Sequence, residues 1–404
     1  MTVPGNTCRL CHSPKMAPLL DFGPQPICNR FLAAADTPEQ LFPLSLTQCM
    51  SCGLIQLVDV AQPQELCPRF DWITYREAEG HLDSMVDWIL NVTGLARTAR
   101  ICGVSYKDTS TLDRFRQRDF HNVMQIDPAA DLGIHGAGGG IETIQERLSC
   151  RIRTSDVASR CGAADLLLAR HILEHAHDLH GFLRGIDALL APGGFVAFEV
   201  PDFNTALTQF DYSTVWEEHA VYFTPATFAR AFKPLGLELV ATVLYPYPLE
   251  NSLVAIARRN DSGQPAASQA DVAEDLELGQ AYRAEFPRLR QRMEHYLSSF
   301  RREQGPIAIF GAGHLACKFV NLLGLRDLVE FVVDDHPHKK GMYMPGSRLP
   351  IQASSALTER GIRLCLTSLN PESEEKVLSK NQQFVKQGGR FASIFPASPN
   401  SLKV

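Results

Sequence analysis

Four cysteines are the first residues in this chain whose spacing points to chemistry. Cys8 and Cys11, then Cys49 and Cys52, form two CxxC pairs separated by 37 residues. Two such knuckles can set four thiolates around one zinc ion, and a loop-rich segment gains its folding energy from that metal. A full set of four sulfurs leaves no open position, so the zinc is expected to be structural. Gly53, directly after the second knuckle, is the small residue such a turn favours; Cys28 and Cys67 are left over as structural or exposed thiols. A second pattern, His171-Ile172-Leu173-Glu174-His175, has the HxxEH spacing of inverted zinc peptidases, which on a helix would put both histidines on one face. Its place at the mouth of an apolar strand favours a pocket over a peptidase cleft. His175 is the pocket residue in this reading, and His177 and His180 are solvated helix positions. A third pattern is Gly311-Ala312-Gly313-His314-Leu315-Ala316, a GxGxxA turn after the strand Ile307–Phe310, with Val332-Val333-Asp334 about 20 residues on. A dinucleotide fold seats pyrophosphate on a helix N-terminus and ribose on an acid in this way. His336, His338, Lys339 and Lys340 read as a solvated turn that could meet a diphosphate.

These groups must be held by more than one core. A chain of 404 residues, 45% hydrophobic, exceeds what a single core organises. The formal charge of −6 provides no basic footprint for nucleic acid or an anionic membrane, which leaves a small-molecule substrate. No basic-then-apolar leader and no apolar run near the roughly 20 residues of a bilayer span is present, so a cytoplasmic location is expected. Eleven cysteines are too sparse for a disulfide scaffold. Residues 1–70 read as the zinc module, 71–258 as an α/β core, 259–304 as a linker followed by a charged helix, and 305–404 as a second α/β domain. Leu82, Met85, Val86, Ile89 and Leu90 recur at helical spacing at the start of the core.

Within the core, Asp165 to Ala169 is an apolar strand, His171 to Leu190 has helical spacing, Pro192-Gly193-Gly194 is a tight turn, and Phe195 to Pro201 is a second buried strand. This order is what a doubly wound sheet requires. It resembles the class I S-adenosylmethionine-dependent methyltransferases, in which strand, helix, LxPGG turn and strand occur together. The resemblance implies a cofactor over the turn after the first strand, which here reads Ile101-Cys102-Gly103-Val104-Ser105-Tyr106-Lys107-Asp108-Thr109. Ser105 and Thr109 stand where that family has glycines, and Asp108 matches its pattern. Asp127 ends the next strand and could accept from ribose hydroxyls; with Ser105, Asp108 and Arg170 it makes up the expected cofactor set. The run Gly136 to Gly140 reads as a flexible loop.

Together, the knuckles and the core resemble the zinc-containing C-methyltransferases that act on nucleotide-linked 4-keto deoxysugars. The resemblance extends over nearly the whole chain, including Asp21 to Pro26, Trp216-Glu217-Glu218-His219 with Tyr222-Phe223, and Lys340 to Gly346. It implies that His219 is the base removing a proton α to the ketone, that Glu218 orients it, and that His175 is the enolate partner. Trp216 replaces the family's tyrosine. Phe70 and Trp72, in the stretch Phe70 to Tyr75, replace sugar-facing residues, while His81 fits a family position. Methylating carbon needs a carbanion equivalent, hence a base near neutrality and a donor for the enolate oxygen. The alternative is a divergent sugar-nucleotide enzyme or binding protein with an altered methyltransferase site, its nucleotide held by the GxGxxA domain.

Overall fold

The computed structural model describes residues 7–73, 77–135, 140–150, 157–159, 162–259 and 272–404. Three sheets organise them. Strands β1 (Met16–Pro26), β2 (Leu41–Cys49) and β3 (Ile55–Leu57) form an antiparallel meander in the zinc module. The core sheet takes β4 (Ile101–Gly103), β5 (Val123–Gln125), β6 (Ala164–Arg170) and β7 (Leu190–Pro201). Next, β8 (Val221–Tyr222) leaves the core and pairs with β3, so the first sheet is not confined to residues 1–70. The core sheet closes with β9 (Leu237–Tyr245) and β10 (Ser252–Arg259), in the order β5-β4-β6-β7-β10-β9, where β10 runs antiparallel to both its neighbours. The third sheet, β13-β12-β11-β14-β15, is parallel throughout. Its strands are β11 (Ile307–Phe310), β12 (Val332–Val333), β13 (Ile351–Gln352), β14 (Leu364–Thr367) and β15 (Arg390–Ser393).

The parallel central strands have apolar side chains on both faces because helices cover both sides; Leu166, Leu167, Leu168 and Ala169 of β6 are all buried. Helix 82–93 lies on one side, burying Leu82, Met85, Val86 and Ile89, and stops at Gly94, whose positive φ of 64° lets its N–H reach the Leu90 carbonyl. The helix expected over His171 to Leu190 is shorter, Leu179–Leu189, with Asp178 capping it by accepting from the Gly181 N–H. His171 itself has φ 48°, which ends β6 abruptly and sends 171–178 into turns. The HxxEH residues therefore do not share a helical face. His180 is not simply solvated either, since its Nε2 meets the Leu10 carbonyl at 2.7 Å and its ring stacks on His12. The Pro192-Gly193-Gly194 turn lies inside β7 as a register shift, with Gly193 at φ 74°. Helix 273–303 packs on both the first sheet and the C-terminal domain. Among the described residues, no helix is long and apolar enough to cross a membrane.

Candidate active site and zinc centre

The two CxxC knuckles converge. Cys8 Sγ lies 3.6 Å from Cys52 Sγ and Cys11 Sγ 3.6 Å from Cys49 Sγ, all four within 4.8 Å of one another. Sulfurs about 2.3 Å from a tetrahedral zinc stand about 3.8 Å apart, so the quartet fits that ion. Backbone amides support the sulfurs: Cys11 N–H faces Cys8 Sγ and Ser51 N–H faces Cys49 Sγ. Gly53 closes the second knuckle at φ 80°, where its N–H donates to the Cys49 carbonyl. None of these cysteines lines the main cavity.

That cavity, about 420 Å³, opens at the C-terminal ends of β4, β6 and β7, where open α/β sheets bind ligands. Phe70, Trp216, His171, His175 and His219 line it, as do Tyr106 and Lys107 from the turn after β4. Six acids, Asp71, Glu77, Glu142, Glu174, Glu218 and Glu250, also face it. Cys67, read as a spare thiol, contributes to its wall.

His175 and His219 meet edge to face, ring centroids 4.7 Å apart, although 44 residues separate them in sequence. Glu142, from helix 141–148, accepts at 2.5 Å from Nδ1 of His175. Burial works against a charge on His175, but the Glu142 carboxylate outweighs it and raises the ring to about 9. His219 is driven the other way: burial, then the neighbouring positive His175 and His314, hold it well below the usual histidine range. Burial likewise raises Glu218, to about 7. Glu218 accepts from Asn29 Nδ2 at 3.2 Å, and one of its carboxylate oxygens lies within 4.8 Å of a Glu142 oxygen and a His175 ring nitrogen. The expected pairing of Glu218 with His219 is thus replaced by contacts toward Asn29 and His175. Glu174, 2% exposed, lies 3.5 Å from His171 Nδ1 through Oε1 and groups with His175 and His219.

Behind this group, Glu199 of β7 gathers His171 Nε2 (3.2 Å), His81 Nε2 (3.0 Å), Ser252 Oγ (2.6 Å) and the Arg170 guanidinium. Burial would raise Glu199, but Arg170 and His171 hold it well below the usual carboxylate range. Arg170 is committed to Glu199 and the Lys107 carbonyl and is 3% exposed, so its side chain fixes the end of β6 instead of lining the cavity, where a cofactor contact was expected. His81 binds Glu199 and Tyr247 rather than the cavity. Asp108, fully buried, accepts from the backbone amides of Val104 and Ser105 through Oδ2 and of Arg170 through Oδ1. Ser105 is equally buried and its Oγ accepts from the Lys107 N–H. Asp108 and Ser105 therefore act through the turn they shape, a correction to their expected direct contact with cofactor. Asp127 remains available: it is exposed at the end of β5, where Oδ1 caps the following helix at Ala130. Thr74, Tyr75, Gly136, Gly138 and Gly139 lie outside the described residues.

The C-terminal GxGxxA turn is closed on itself. The Ala312 N–H donates to Asp334 Oδ2 at 3.1 Å, and Lys339 Nζ joins Asp334 to the Ala312 carbonyl. The expected solvated turn is present, with His338 and Lys340 exposed, and the rings of His336 and His338 lie against Trp72, which also stacks on Phe70.

The comparisons with known proteins agree with this layout. Residues 8–66 match the model of a zinc binding domain, and residues 266–396 match that of a C-methyltransferase C-terminal domain. The C-methyltransferase NovU of Streptomyces niveus is 26% identical over 414 aligned positions, covering 97% of this chain and 96% of that protein. These matches support a zinc-containing C-methyltransferase family for the chain. They support a C-methyltransferase whose four N-terminal cysteines fit a structural zinc. Among solved structures, it is similar to the 1,6-didemethyltoxoflavin-N1-methyltransferase of Burkholderia thailandensis (16% identity, TM-score 0.30, 45% of this chain and 80% of that one). The CcbJ methyltransferase of Streptomyces caelestis is another (10% identity, TM-score 0.28, 47% and 100%). The expected S-adenosylmethionine finds an exposed carboxylate in Asp127 where β5 ends, placed to accept from ribose hydroxyls. Sequence reasoning missed Glu142 and Glu199, which no local spacing marks, and met Glu174 only as a member of the HxxEH pattern.

Proposed function

We propose that this methyltransferase methylates carbon next to the ketone of a nucleotide-linked keto sugar, with His219 as base and His175 as donor to the enolate oxygen. The observation that carries the reading is the juxtaposition of two histidine rings with opposed proton affinities. Groups whose surroundings push their pKa values apart divide the acid and base roles between them. His219, kept neutral, has a free electron pair for the α-proton. His175, kept protonated by Glu142 at Nδ1, has its Nε2–H left to donate. As the proton moves from carbon to His219, negative charge develops on the ketone oxygen. The His175 imidazolium meets that charge, which also offsets the new positive charge on His219. S-adenosylmethionine supplies the electrophilic methyl group, and Asp127 together with the turn shaped by Asp108 would hold it. Trp216, without a phenolic hydroxyl, forms a wall of the cavity.

The test is solvent deuterium exchange into a 4-keto sugar nucleotide. His219→Asn should slow exchange by roughly 10² to 10⁴-fold while leaving cofactor affinity nearly intact. Exchange at the wild-type rate in that variant would place the base elsewhere.

A further inference from the structure

Residues 210–220, which carry Trp216, Glu218 and His219, contain no helix or strand between helix 203–209 and β8. Something else must fix them. Local hydrogen bonds do part of this, from Tyr222 Oη to the Trp216 carbonyl and from His219 N–H to the same oxygen. The rest falls to Glu217, which is absent from the cavity wall and instead enters the seam between the three modules. Its Oε1 accepts from the Cys28 N–H at 2.5 Å. Its Oε2 lies 2.7 Å from Lys318 Nζ and 3.2 Å from His314 Nε2. His314 and Lys318 are one helical turn apart, hence on one face of helix 314–323. The His314 ring also stacks on Trp216, centroids 4.1 Å apart and planes within 16°.

Stability alone does not account for this cluster. Lys318 is 1% exposed and Glu217 6%, and burying each ion costs several kcal/mol, so a buried pair often does no better than apolar side chains of the same size. What a buried ion pair does provide is position, because the charges tolerate little displacement from each other in a medium of low dielectric. Here the fixed points are the residues on either side of Glu217. The GxGxxA turn has a use in this arrangement: Gly311, at φ 107° and tight against Ser368 and Leu369, begins the helix so that its first residue, His314, faces the core.

We propose that Lys318 and His314 of the C-terminal domain are positioning residues for the reaction, holding His219 against His175 through Glu217 and Trp216. This rests on the reading of His219 as the base. The experiment compares full-length wild type, Lys318→Met and Lys318→Arg by amide hydrogen exchange of residues 213–220 and by turnover. In Lys318→Met, exchange in that segment should rise about tenfold with the rest of the core unchanged. Turnover should fall about 10²-fold with substrate KM nearly constant, as displacement of a reacting group by about 1 Å implies. Lys318→Arg should recover part of both. Wild-type protection and turnover in Lys318→Met would overturn the proposal. If Lys318→Met does not fold, the double variant Glu217→Leu/Lys318→Met removes both charges. A folded double that is unprotected and slow supports positioning; one that regains wild-type protection and rate overturns it. Should wild type itself exchange no proton of a 4-keto sugar nucleotide, the substrate reading fails, while the amide-exchange comparison still decides this one.

Discussion

The chain contains two strand-to-helix turns of the nucleotide-binding kind, and they are built in opposite ways. The core turn after β4 lacks glycines at 105 and 109, yet it is organised: Asp108 draws three backbone amides, from Val104, Ser105 and Arg170, onto one carboxylate. The C-terminal turn after β11 keeps its glycines, yet its Ala312 amide is taken by Asp334, Lys339 closes over it, and His314 turns to Glu217. Glycine spacing therefore records room for the backbone to turn and does not by itself say what fills that room. Where the amides and the first helical side chain point decides whether a turn faces a ligand or another part of the protein.

The comparison can be broken most directly at Asp108. Asp108→Ala orphans three buried N–H groups, each costing about 1 to 3 kcal/mol, so a total loss of about 3 to 5 kcal/mol is expected after relaxation. Urea unfolding measures it, and cofactor affinity should be lost in the same variant because the turn no longer holds its shape. A variant as stable as wild type that still binds S-adenosylmethionine would mean the core turn is not organised by this carboxylate.

Legibility in the sequence followed distance along the chain. The cysteine knuckles, the strands β6, β7 and β11, and helix 82–93 were readable because ligand spacing and apolar periodicity are local. The helix from His171 was read too long because apolar spacing continues through 171–178, while the positive φ of His171 and the Asp178 cap are set by the packed turn. Glu142 lies 33 residues from His175 and Glu217 lies 101 residues from Lys318, so neither pairing has a spacing to detect. Nor does any spacing distinguish Glu217 from its neighbour Glu218, or pair Arg170 with Glu199, 29 residues away.

A smaller effect sharpens the core side of the comparison. Asp127→Ala should weaken S-adenosylmethionine binding by about 1.5 to 3 kcal/mol, the scale of hydrogen bonds to a charged group. Part of any stability loss, about 1 kcal/mol, belongs to the cap on Ala130 and is measured separately by unfolding. Unchanged affinity by calorimetric titration would move the ribose contact away from β5.

The smallest effect is expected on the other turn. Asp334 carries the position that a dinucleotide fold gives to ribose, but its carboxylate already accepts from Ala312 N–H, Lys339 Nζ and the His336 N–H. For a ribose to bind there, it would have to displace Lys339 from both Asp334 and the Ala312 carbonyl, and pyrophosphate would compete with Asp334 for the Ala312 amide. Asp334→Ala should therefore cost about 1 kcal/mol of stability, as for a partly exposed ion pair, and leave turnover and S-adenosylmethionine affinity at wild-type values. Titration of wild type with NAD should show no saturable heat. Saturable NAD binding that disappears in Asp334→Ala would show that Lys339 yields to a nucleotide, and the two turns would then differ in affinity rather than in what they face.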